Sequence, residues 1–104
     1  MIDRTLLITV NGIDAPGVTS DIFESVASAP VVAVDMEQLV VRGHLTLAIA
    51  LELDPSVTDS DAPGVLDQVR KAVRIAASYR NMEVTTRPGA VSYTHLRAHE
   101  TRIH

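Results

Sequence analysis

The most constraining feature of the chain is a nine-residue alternation, Leu45, Leu47, Ile49, Leu51 and Leu53 against Thr46, Ala48, Ala50 and Glu52. Successive strand side chains point to opposite faces, so this is a strand with one buried apolar face. A buried strand needs paired neighbours and a covering layer. Val31 to Arg42 reads as the preceding strand, mixed in register early and continuous at Leu39-Val40-Val41. Gly43 supplies the turn, and the two strands form a hairpin. Upstream, Leu6 to Val10 is a short apolar, β-branched strand, ended by Asn11-Gly12. Met82 to Thr86 reads as the last strand, ended by Arg87-Pro88-Gly89.

Between the strands the period changes. Val18, Ile22 and Val26, with Phe23 and Ala27 beside them, have helical spacing. Asp21 and Glu24 suit the early turns of that helix, and Pro30 stops it. After the polar loop Asp54 to Asp61, Ser60 or Asp61 can cap a second helix with Pro63 in its first turn. Val65, Leu66, Val69, Val73 and Ala76 form its apolar stripe, with Arg70, Lys71 and Arg74 outside. The expected class is α+β: a ferredoxin-like βαββαβ unit, a four-stranded antiparallel sheet with two helices on one face.

The 104 residues suffice for one domain, and a domain this small gains stability from a pairing surface. There is no cysteine, which excludes disulfides, thiolate metal sites and thiol nucleophiles. A cytoplasmic location fits that composition. The sequence shows no membrane-length apolar run and no signal-peptide pattern. The net charge of −4 gives no electrostatic reason to bind nucleic acid or anionic lipid, and three aromatics offer bases little to stack on.

The last residues differ in style. Three of the four histidines, His95, His99 and His104, fall in them. Val91 to Thr101 resembles the one-frame translation of a transposase-type sequencing adapter. The expected division is a domain over 1–89 and a non-native or disordered tail over 90–104. The natural protein is then expected to continue after Gly89.

Other occupations of this fold are disfavoured at their sites. The first loop, residues 11–20, has neither the cysteine pair of a metallochaperone nor the arginine of an acylphosphatase. The strands at 6–10 and 45–53 carry no aromatics for RNA. Asp59-Ser-Asp61 half-matches an Asp-x-Asp-x-Thr phosphotransfer motif but opens a helix instead of closing a buried strand. His44 reads as a solvated turn residue. Asp35, Glu37 and Gln38 are polar residues in a strand, either an outward or edge position or the lining of a ligand site between paired domains.

The best candidate is the first loop, Asn11 to Thr19. Gly17 lets the backbone come close to a ligand. Free helix-start amides favour a carboxylate, and Asp14 can accept from an ammonium group. Together they suit a zwitterion such as a free amino acid.

Leu7 to Ser20, with Asp14-Ala-Pro-Gly-Val-Thr19 at its centre, resembles the opening of an ACT domain, the small-molecule sensor of amino-acid metabolism. Asp35 to Leu47 resembles strands two and three of the N-terminal ACT domains of actinobacterial-type phosphoserine phosphatases. The resemblance covers about residues 5–88. It implies a regulatory, non-catalytic domain that binds an amino acid, L-serine above all. It also implies pairing with another ACT domain, within the chain or as a homodimer, with serine at the pairing interface. By carry-over, Asp14, Ala15, Pro16, Gly17, Val18 and Thr19 hold the ligand, and Asp35 faces the partner. Catalysis in that family belongs to a C-terminal haloacid-dehalogenase-type domain with Mg²⁺, none of which is in this sequence. No metal site and no catalytic residue is expected in the chain itself. Family members usually turn through glycine after the first helix, where this chain has Ser28-Ala29-Pro30. The alternative is the same sensor or dimerisation module in another amino-acid enzyme or a transcriptional regulator.

Overall fold

The computed structural model describes residues 3–88. The expectation for the tail at 90–104 lies outside the described residues. The elements are β1 (Thr5–Ile13), α1 (Val18–Ser25), β2 (Val31–Val41), β3 (His44–Leu53), α2 (Ala62–Ser78) and β4 (Glu83–Pro88). One sheet has the order β2-β3-β1-β4, and every neighbouring pair is antiparallel. This is the expected ferredoxin-like βαββαβ fold.

The alternation in β3 sets the layering. Leu45, Leu47, Ile49, Leu51 and Leu53 are buried, and Leu6, Ile8 and Val10 of β1 lie in register with Leu51, Ile49 and Leu47. Val18 and Ile22 of α1 and Ala62, Leu66, Val69, Val73 and Ala77 of α2 close the same core. Both helices therefore cover one face, because each carries one apolar stripe to bury.

Four local expectations change, the simplest being that the last strand begins at Glu83 and runs on through Arg87 to Pro88, paired with Leu7 and Leu6. The first strand runs on through Asn11-Gly12 to Ile13. Gly12 does not end it, because it faces the core where Met82 occupies the space a side chain would need; a Cβ there would lie 2.8 Å from Met82 Cε. The first helix stops at Ser25, before Pro30, and the chain leaves it through tighter bonds from Val26 N–H to the Phe23 carbonyl and from Ala27 N–H to the Glu24 carbonyl. At the start of α2, Asp61 holds the cap position without a side-chain bond. Thr58 serves there instead, its hydroxyl accepting from Asp61 N–H at 3.2 Å and its carbonyl from Ala62 N–H at 3.0 Å.

The hairpin turn is the two-residue pair Arg42-Gly43, with φ of 50° and 81°. Two left-handed residues match the strand twist, as a type I′ turn requires. The β3–α2 loop is held from the far end of the sheet. Arg4 donates to the carbonyls of Asp54 and Val57 at 3.1 and 2.8 Å and pairs with Asp59 at 3.0 Å. The Asp54 carboxylate accepts from Ser56 N–H, and the Ser56 bonds hold it below the usual carboxylate range.

Candidate functional site

The site is built from the bottom of β1. The last rung of the β1–β3 ladder pairs Ile13 with His44, so the chain emerges beside the hairpin turn. Asp14 N–H then donates to the Gly43 carbonyl at 2.8 Å, tying the loop to that turn. Gly17 precedes the helix with φ 86°, a left-handed conformation that costs any L side chain roughly 1–2 kcal/mol. Glycine allows the chain to reverse there and start α1 at Val18, whose side chain is buried.

The helix start presents open donors. Asp21 N–H reaches the Gly17 carbonyl at 2.9 Å, while Val18 N–H makes only a 3.3 Å contact with the Ala15 carbonyl. Among the described residues, the amides of Gly17, Thr19 and Ser20 have no acceptor. Such a first turn carries a positive partial charge aimed out of the helix. Asp14, Pro16 and Gly17 are exposed, and Ala15 packs partly against the core. The Asp14 carboxylate has no partner among the described residues and stands a few residues from those amides.

The second component is β2. It is an edge strand, exposed from Val32 to Val41 on both faces. Val32, Val34, Met36, Leu39, Val40 and Val41 are all at least 44% exposed. That is far more apolar surface than a solvated edge usually keeps. A β-bulge between Ala33 and Asp35 explains the mixed register read from the sequence. The extra residue reverses which side chains face the helices. Met36, Gln38 and Val40 lie opposite the inward Ile49, Leu47 and Leu45, whereas Asp35 and Glu37 lie opposite the outward Ala50 and Ala48.

The seven residues expected to hold a ligand therefore divide. Asp14 to Thr19 form one continuous strand-to-helix loop. Asp35 stands on the other face of the sheet, and its carboxylate accepts from Met36 N–H at 2.8 Å. The strand residue that reaches the loop is Gln38, whose Oε1 accepts from the Thr19 hydroxyl at 2.7 Å. The sequence marked Gln38 as polar but not as the partner of Thr19, because only the bulge decides its face. No group of three His, Cys, Asp or Glu that could hold a metal occurs among the described residues. No described helix is long and apolar enough to cross a membrane.

Residues 4–86 match the family description "ACT domain". The chain belongs to the ACT domain family. Among curated relatives, phosphoserine phosphatase SerB2 of Mycobacterium tuberculosis is 42% identical over 69 residues, 66% of this chain and 16% of the relative. A phosphoserine phosphatase of Streptomyces coelicolor is 30% identical over 73 residues, 70% of this chain and 18% of the relative. The matched stretch of this ACT chain thus spans about a sixth of those enzymes. Among solved structures, an ACT domain protein from Streptococcus pneumoniae superposes with a TM-score of 0.65 at 17% identity, covering 85% of this chain and 92% of that one. At that identity the likeness shows the fold alone.

Proposed function

We propose that this ACT domain is the amino-acid sensor of a phosphoserine phosphatase, that its ligand is L-serine, and that it works by pairing with a second ACT domain along β2. The observation that carries the reading is the meeting of two unsatisfied features at Thr19 and Gln38. A loop with open amides and an exposed carboxylate adjoins an apolar edge strand with unpaired backbone groups. An amino acid offers a carboxylate to the amides and an ammonium group to Asp14. A second domain laid against β2 satisfies the strand's free N–H and C=O groups and buries its exposed apolar side chains. The ligand then lies where the pairing surface closes over the loop. The two curated relatives support the choice of parent enzyme, and serine is the product that such an enzyme releases.

The function follows from linkage. A ligand that binds the paired state more tightly shifts the assembly by its difference in affinity and no further. Catalysis, with its Mg²⁺, resides in a separate domain of the parent, and Asp14 to Thr19 take no chemical step.

The test is sedimentation of the chain with and without L-serine, alongside calorimetry with serine, glycine and D-serine. The expected result is heat on adding L-serine and a rise in the dimer fraction, with D-serine much weaker. A chain that stays monomeric and takes up no L-serine at millimolar concentration refutes the proposal.

A further inference from the structure

We infer that Arg80, a residue outside the first loop and far from it in sequence, is the positioning residue that holds the ligand loop ready and cancels the charge that would repel the ligand. The inference rests on the reading of that loop as an amino-acid site.

Arg80 follows α2 in the turn that leads into β4. Its guanidinium reaches back across the helix layer. Nη1 donates to the Pro16 carbonyl at 3.1 Å. Nε and Nη2 both donate to Asp21 Oδ2, at 3.0 and 2.7 Å. One planar fork thus binds the loop immediately before Gly17 and the first turn of α1 immediately after it. With the Pro16 carbonyl turned toward Arg80, the orientation of the Pro16–Gly17 peptide is fixed.

The approach is close. A Cβ on Gly17 would lie 3.0 Å from Arg80 Nη2. The absence of a side chain at Gly17 therefore serves two needs at once, the left-handed turn and the seat of the guanidinium.

The second effect is electrostatic. Asp21 is half-exposed and stands in the first turn, where its charge faces the same positive end that would attract a ligand carboxylate. Left unpaired, it would compete for that end and repel the incoming anion. The Arg80 fork removes that competition. Only arginine supplies both functions from one side chain, because its donors diverge in a fixed plane.

The experiment measures L-serine affinity by calorimetry for the unaltered chain, Arg80→Met, Arg80→Lys, Arg80→Met with Asp21→Asn, and Arg74→Met as a control for lost charge. Arg74 is exposed on α2 and makes no ion pair or side-chain hydrogen bond among the described residues. Arg80→Met is expected to bind about tenfold more weakly, equivalent to roughly 1.4 kcal/mol. Arg80→Lys recovers part of the loss, as does Asp21→Asn, and Arg74→Met stays within about twofold of the unaltered chain.

A merely structural role would leave two further readouts unmoved. In Arg80→Met, amide exchange quickens at Val18 and Asp21, whose N–H groups bond the Ala15 and Gly17 carbonyls, while the core strands stay protected. Raising ionic strength about tenfold strengthens serine binding to that variant, because salt screens the bare Asp21. If Arg80→Met does not fold, Arg80→Lys carries the test through the same readouts. Binding that survives either substitution unchanged overturns the inference and leaves the ligand reading standing. An unaltered chain that binds no serine overturns the ligand reading, and the inference with it.

Discussion

Two glycines in this chain share a left-handed backbone and differ in what surrounds them, which makes them an internal control. Gly17 has φ 86° and Gly43 has φ 81°. At Gly43 an added Cβ meets nothing within 4 Å, whereas at Gly17 it lies 3.0 Å from Arg80 Nη2. Gly43→Ala therefore reports the conformational cost alone, about 1 kcal/mol once the loss of unfolded-state freedom is offset. Gly17→Ala carries the same cost and must also displace the guanidinium. The nitrogen it strikes is the one that bonds Asp21 at 2.7 Å, so the shift stretches that charged pair. A further loss of about 1 kcal/mol follows, giving about 2 kcal/mol in total. For a domain of this size each kilocalorie lowers the melting temperature by roughly 4–8 °C. Urea unfolding followed by circular dichroism, on both variants in the original and the Arg80→Met backgrounds, measures the difference. The excess cost at Gly17 should disappear when Arg80 is methionine. Equal costs at the two glycines in both backgrounds would refute the reasoning about the clamp.

Gly12→Ala should destabilise the chain by roughly 1–3 kcal/mol, because its Cβ would meet Met82 Cγ at 2.9 Å and the buried Met82 has little room to give. Combining it with Met82→Ala should cost less than the sum of the two single changes, and strict additivity in denaturant midpoints would count against that contact. Asp54, whose carboxyl Ser56 holds below its ordinary value of 3.8, contributes stability above that value and loses it as the pH falls through the lowered one. Asp54→Asn should therefore flatten the acid end of the stability profile and leave its neutral-pH shape unchanged; an unaltered acid limb would exclude the Ser56 bonds as the cause.

Local pattern in the chain sets the period of each element and hence the layers. The alternation in β3, the stripe of α2 and the glycine turn at 43 are local patterns, and local sterics and burial decide them. The loop from Asp14 to Thr19 was equally legible, since turn residues leading into a helix are neighbours in the chain. Tertiary structure decided what depends on distant partners. β1 runs through Gly12 because Met82 fills the space beside it. The bulge at Ala33/Asp35 turns Asp35 outward and brings Gln38 to Thr19, a one-residue change that reverses every side chain after it. Arg80 reaches Pro16 across 64 positions of sequence. No periodicity encodes such a contact; it exists because the packing of α2 on the sheet delivers one guanidinium to the start of α1.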